Sequence, residues 1–191
     1  MVVEQMILLF CGFKGSGKDE CTSFIQREYC YEHYKISKYL KEMLKLLFGF
    51  STNQLEGSGK ETIAPEWDVT PREVMKYIGT NLFQFEIQKL LPHIERDFWM
   101  HLLYRDIKRN RKSSIVISDL RFLHELDFMK RSFPDEKIIV VKVVRDSQIP
   151  PLAIDPSEDE HTTLNFDYII PNNSSIQDLH INLRHLIETN I

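Results

Sequence analysis

The chain has 191 residues, enough for one domain with a sizeable core. Its 24 basic and 28 acidic residues give a formal net charge of −4. They are scattered rather than clustered, which speaks against stable binding to nucleic acid. No apolar run approaches a membrane span and no signal peptide is visible, so the sequence reads as that of a soluble, intracellular protein. Three cysteines, Cys11, Cys21 and Cys30, match no zinc or Cys-x-x-Cys spacing and read as buried or inert free thiols.

In chain order, Met6–Cys11 is an unbroken apolar run and predicts a buried first strand. A glycine-rich loop follows at 12–19. Residues 18–29 predict a helix with Cys21, Phe24 and Ile25 at helical spacing. Residues 34–36 predict a short second strand. Residues 39–48 form an amphipathic pattern, with Leu40, Met43, Leu44, Leu47 and Phe48 on one side and Gly49 as the stop. Residues 50–69, rich in Ser, Gly, Thr and Asn, read as a surface excursion rather than core. Thr70, Pro71 and Glu73 mark a helix start through a capping box with proline in the first position, and that helix is expected to run to about 91. Another helix is expected from about 97, carrying Trp99, Leu102, Leu103 and Ile107. Residues 114–118 predict a buried strand ending at Asp119, and residues 122–132 a helix packed through Phe122, Leu126 and Met129. Residues 137–144 are the most β-branched run and predict a central parallel strand. Residues 146–165, with three prolines and an acidic patch, read as a loop or lid. Residues 168–170 predict a last strand, and Ser175 caps a final helix.

Strands alternating with helices define an α/β layered fold with a parallel sheet and no second domain. Ligands in such folds lie beyond the C-terminal strand ends. The loop at 12–19, Asp119 to Arg121, Arg145 and Asn172 all follow such ends. The loop reads Gly-Phe-Lys-Gly-Ser-Gly-Lys-Asp. Its Gly-x4-Gly-Lys core arises by chance in about one chain in twenty of this length, and requiring Gly15 lowers that about tenfold. Glycines let the backbone curl so that successive N–H groups face an anion, and the next helix adds its positive end. Lys18 can then reach the β- and γ-phosphates. Asp119, at the end of a buried strand, stands where nucleotide-binding proteins hold a metal or its water. Asp19 replaces the usual Ser or Thr after the lysine.

This loop, Tyr-Leu-Lys-Glu at 39–42, Pro71-Arg72 followed by Ile-Gly-Thr at 78–80, Asp-Phe-Trp at 97–99 and Asp-Leu-Arg-Phe-Leu-His-Glu at 119–125 occur in one series. The series resembles the deoxynucleoside monophosphate kinase family of phages, other viruses and bacteria, in which the loop typically ends Lys-Asp. The resemblance, over about 6–190, implies a three-layer P-loop NTPase fold like that of nucleoside monophosphate kinases. It implies a single kinase domain over 1–191, an acceptor-binding lobe around 38–100 and a lid-like loop around 145–165. The implied activity is transfer of the ATP γ-phosphoryl group to deoxynucleoside 5′-monophosphates, dTMP and dGMP first, with ATP and Mg²⁺ as cofactors. On this reading Gly12, Gly15, Ser16, Gly17, Lys18 and Asp19 bind ATP. Lys18, Asp119, Arg121 and Arg145 act in catalysis, and Asp19 and Asp119 meet the metal, mostly through water. Lys14, Lys41, Arg72, Gly79, Thr80, Trp99, Asp119, Arg121, Phe122 and Glu125 bind the acceptor. Trp99 could stack on the base or belong to the core. Glu125 could read a base edge or be a solvated helix glutamate.

The implied partners are small nucleotides and a second copy in a homodimer, with no nucleic acid and no membrane. The implied place is the cytoplasm, or a host's cytoplasm if the source is a virus. Three departures from the family pattern stand out: Glu20 where Thr is usual, Lys76 where Gln is common, and an unassigned His161. Three alternatives remain: a phosphomevalonate kinase-like enzyme, a nucleotide-binding switch and a non-catalytic nucleotide-binding remnant. The Pro-Arg and Gly-Thr helix and Asp-Phe-Trp favour a nucleotide acceptor over phosphomevalonate. No Asn-Lys-x-Asp motif supports a guanine-reading switch.

Overall fold

The structure, a computed structural model, describes residues 5–146 and 164–190. The expected lid, including His161, therefore falls almost wholly outside the described residues. The chain forms two compact units: one holds the chain up to Lys35 and from Asp106 onward, the other is Ile36–Arg105.

The first unit is built on one parallel sheet in the order β2-β3-β1-β4-β5. Its strands are β1 (Met6–Cys11), β2 (Glu32–Tyr34), β3 (Ile115–Ile117), β4 (Lys137–Val144) and β5 (Tyr168–Pro171). No residue of β1 is more than 3% exposed, which explains its lack of polar residues: a strand covered on both faces has no side for them. β1, not the β-branched β4, is the centre. β4 lies between β1 and β5, so it is still bonded on both edges and buries Ile139, Val140, Val141 and Val143.

β2 begins two residues earlier than its composition suggests. Glu32 decides this: its Oε1 accepts from the backbone N–H of Lys112 at 2.6 Å and of Ser113 at 2.9 Å, pinning the strand beside β3. Helices α1 (Lys18–Tyr29) and α7 (Ile176–Glu188) cover one face of the sheet. There Met6, Leu8 and Phe10 meet Phe24 and Ile25 of α1 and Leu179, Leu183 and Leu186 of α7. Ile7, Leu9 and Cys11 point the other way and are equally buried, so that face is covered too. Helix α6 (Leu123–Ser132) buries Leu126, Phe128 and Met129. Burial pushes the Cys11 and Cys21 thiols up to about 12, so both stay protonated and inert. Cys30 is exposed, in the left-handed turn that ends α1.

The second unit contains α2 (Lys38–Phe48), α3 (Thr52–Glu56) and α4 (Pro71–Lys76), and the chain leaves it along α5 (Phe98–Asn110). The segment 50–69 is mostly exposed, as its composition suggests, but it is anchored to the unit's core. Leu55 is fully buried and Phe50 nearly so, and the Phe48 ring packs against Phe50 and Trp67 at 5.3 and 5.0 Å. Phe50, Leu55 and Ala64 are buried, whereas Ile63 stays exposed.

The expected single helix from Pro71 is α-helical only to Lys76. It widens to a π-helix over Tyr77–Phe85 and tightens again at Glu86–Lys89. The widened stretch includes Gly79, where a Cβ would lie 2.7 Å from Leu40 of α2.

Candidate active site

The loop after β1 owes its shape to three glycines with positive φ: Gly12 at 137°, Gly15 at 81° and Gly17 at 103°. At Gly12 the requirement is absolute in space as well as in angle, because a Cβ there would overlap the backbone oxygen of Val143. The Ser16 N–H donates to the Phe13 carbonyl at 3.1 Å and closes the curl. Lys18 Nζ lies back over the loop, donating to the Gly12 and Phe13 carbonyls at 2.7 and 2.8 Å. Gly17 caps α1 without a side-chain hydrogen bond, and the start of such a helix is a favourable place for an anion.

The Ser16 hydroxyl is fully buried and has no hydrogen-bond partner. Buried hydroxyls are normally paired, so this orphan points to a missing acceptor. A phosphate chain fits the loop on those grounds. Asp19 in the loop and Asp119 after β3 are oxygen donors of the kind that suit a magnesium ion, which is commonly held by one or two carboxylates together with phosphates and water. The Asp19 side chain is 89% exposed and sits 3.8 Å from Lys35 Nζ. Glu20, where the family pattern has Thr, pairs with His180 at 2.8 Å, and that ring stacks on Phe24.

Asp119 lies two residues beyond β3 and is half-buried. Its neighbour Ser118 is buried, with Oγ 2.8 Å from His33 Nε2. Leu120 N–H donates to the Phe10 carbonyl, which ties the start of the Asp119 loop to β1. Arg121 is exposed.

Glu125 is neither solvated nor presented to a base. It is 4% exposed, and its Oε2 accepts from the backbone N–H of Arg121 at 2.8 Å and of Phe122 at 3.0 Å. It fastens the loop that carries Asp119 and Arg121. Phe122 is also buried, packed beside the His124 ring.

Burial pushes the Glu125 carboxyl up to about 7, against the pull of His124 and the two N–H groups. A carboxyl raised on folding favours the native state fully below its unfolded value near 4.5 and loses that contribution as pH rises through about 7. The loss is on the order of 3 kcal/mol at full ionisation. Glu125→Gln keeps an acceptor oxygen and cannot ionise. Its stability relative to the parent chain should therefore rise between pH 5 and pH 8, measured by urea unfolding at both. A difference that does not change with pH contradicts this.

Arg145 follows β4 and is exposed, its Nε donating to the Asn172 carbonyl at 3.2 Å. Asn172 follows β5 and is buried. Its Nδ2 donates to the Ser16 carbonyl at 2.8 Å. Its place after a strand is its one signal in the sequence; nothing there marks it as a brace of the loop.

In the second unit, Lys41 Nζ is 2.9 Å from both Glu56 oxygens and Arg72 Nε is 2.5 Å from Glu61 Oε1. Both cations are thus half-neutralised by local carboxylates. Thr80 is half-buried on the π-helix, and Lys14, on the loop of the first unit, is exposed. Two further acceptor-side expectations change here. Trp99 is 6% exposed, donates from Nε1 to the Gly79 carbonyl at 2.8 Å and packs on Phe83 and Phe98, so its ring fills core and offers no face to a base. Gly79 has a structural reason to be small, because Leu40 occupies the space a side chain would need.

A glycine loop between the central strand and its helix, with a lysine over the curl and a carboxylate at the neighbouring strand's end, defines a P-loop fold. The chain belongs to the deoxynucleotide monophosphate kinase family, whose model matches residues 58–183. A protein of Acanthamoeba polyphaga mimivirus assigned as a deoxynucleotide monophosphate kinase is 31% identical over 187 residues, covering 92% of this chain and 93% of its own. A crystal structure from Chloroflexus aurantiacus assigned as a kinase covers 100% of both chains with a TM-score of 0.52 and 13% identity, a likeness of fold. Among the described residues no helix is long and apolar enough to cross a membrane.

Proposed function

We propose that this nucleotide kinase transfers the γ-phosphoryl group of ATP to deoxynucleoside 5′-monophosphates, dTMP and dGMP first. The observation that carries the reading is the phosphate loop, with its unpaired buried Ser16 hydroxyl, in a member of this family. Bound Mg²⁺-ATP supplies the phosphoryl group and the charge neutralisation of its β- and γ-oxygens.

The chain's own work is positioning and electrostatics. The N–H groups of residues 15–19 and the Ser16 hydroxyl cradle the donor phosphates, and Gly12 opens the curl. Lys18 leaves the Gly12 and Phe13 carbonyls for the transferring group, exchanging two neutral acceptors for an anionic one. Asp119 and Asp19 would hold a bound magnesium ion through its waters. Arg121 and Arg145 place positive charge around the developing anion, and Lys14 faces the phosphates from the loop's rim.

Arg72 grips the acceptor phosphate through a bidentate guanidinium, with Lys41 and Thr80 in support. Both cations keep their carboxylate partners in the free protein, so acceptor binding competes with Glu61 and Glu56. Arg72→Ala should raise the acceptor KM by about tenfold or more, the loss of one charge-assisted pair, and leave ATP affinity within twofold. Equal weakening of both substrates would remove Arg72 from the acceptor site.

The reading is tested by coupled ADP release with ATP and Mg²⁺ over dTMP, dGMP, dCMP, dAMP, UMP and phosphomevalonate. Turnover with deoxynucleotides and none with phosphomevalonate is expected. Turnover with phosphomevalonate alone would overturn the acceptor.

A further inference from the structure

The Ser16–Gly17 peptide is the weak point of the phosphate loop. Gly17 has no Cβ and tolerates either sign of φ, so rotation about this peptide costs little by itself. Its observed φ is 103°. In a trans peptide the carbonyl and the following N–H point in opposite directions. Whatever holds the Ser16 carbonyl therefore also aims the Gly17 N–H.

One side chain does this. Asn172 Nδ2 donates to the Ser16 carbonyl at 2.8 Å from a position 156 residues away. Asn172 is itself fixed: its backbone N–H donates to the Val144 carbonyl at 2.8 Å, and its own carbonyl accepts from Arg145 Nε. It also fills the space beside Gly17, where a Cβ would overlap its amide nitrogen. Asn172 thus explains two features at once, the glycine at 17 and the direction of the peptide before it.

We propose that Asn172 is a positioning residue for the donor nucleotide, locking the Ser16–Gly17 peptide so that the Gly17 N–H points away from Asn172 and toward the bound phosphates. Through the same residue, the Arg145 guanidinium is tied to the phosphate loop. This rests on the donor-phosphate reading given above. It goes beyond it by assigning an orienting role to a residue just after the last strand.

The test uses Asn172→Leu, which keeps the branched shape and removes the donor. The probes are ATP and inorganic tripolyphosphate, each with Mg²⁺, titrated calorimetrically. Unfolding in urea establishes that the variant is folded. Asn172→His restores an N–H at the branch position and serves as the rescue. If Asn172→Leu does not fold, Asn172→Ser is measured instead, because its hydroxyl is too short to reach the Ser16 carbonyl.

The expected result is a loss of at least tenfold in affinity for both probes. The acceptor KM should stay within twofold, and Asn172→His should recover a substantial part of the loss. Affinity for tripolyphosphate within twofold of the parent overturns the proposal, as does a loss confined to ATP, which would put Asn172 at the base rather than the phosphates. A parent chain that binds neither probe would instead overturn the donor-site reading itself.

Discussion

Lys18→Ala should reduce kcat/KM with ATP by roughly a thousandfold, about 4 kcal/mol of transition-state stabilisation. The basis is the position of the ammonium group. It rests on two carbonyls of the loop's first turn, where it is partly buried and close to the cradle. Moving it onto a transferring phosphoryl group strengthens an existing electrostatic contact and needs no new element. The truncation removes no core volume, so the melting temperature should change by only a few degrees. Steady-state kinetics beside thermal unfolding separates the two effects. Turnover that survives within tenfold would mean that Lys18 does not meet the reacting group.

Gly12→Ala is expected to be the most damaging single-methyl change in the first unit. Two penalties coincide there. The φ of 137° lies in a region that L-residues rarely adopt, costing about 1–2 kcal/mol. The added methyl meets the backbone oxygen of Val143, which is anchored in β4 and cannot rotate aside, for about 1–3 kcal/mol more. The variant should lose about 3 kcal/mol in urea unfolding, and ATP affinity should fall with it because the curl opens. Gly49→Ala is the control: it also has positive φ, 69°, but a Cβ there meets nothing within 4 Å. Equal losses at the two positions would show that neither the wider φ of Gly12 nor the Val143 contact adds to the cost of a positive φ.

The parts of this protein legible in its sequence are those whose causes are local. β1 is apolar throughout because both its faces are covered, and β4 is apolar but for Lys137 and Lys142. The capping boxes at Thr70 with Glu73 and at Ser175 with Asp178 need only four consecutive residues. The phosphate loop is legible for the same reason: its geometry is written in its own glycines.

What escaped depends on distant partners. Glu32 sets the start of β2 through a turn about 80 residues away. Glu125, Phe122, Trp99 and Gly79 are residue types that serve equally as ligands or as structure, and only burial separates the two uses. The segment at 50–69 has a loop's composition, yet Leu55 and Phe50 anchor it. Asn172 carries no motif because its partner, the Ser16 carbonyl, is backbone and could be preceded by any side chain.

The central claim is that the γ-phosphoryl group of ATP passes to a deoxynucleoside monophosphate on this chain. It is tested most directly by incubating the protein with Mg²⁺ and ATP labelled at the γ-phosphorus, in the presence of dTMP or dGMP, and separating the products. Label in the deoxynucleoside diphosphate, absent with Lys18→Ala, is the result expected. Label found only in inorganic phosphate, or left in ATP that the protein demonstrably binds, would contradict it.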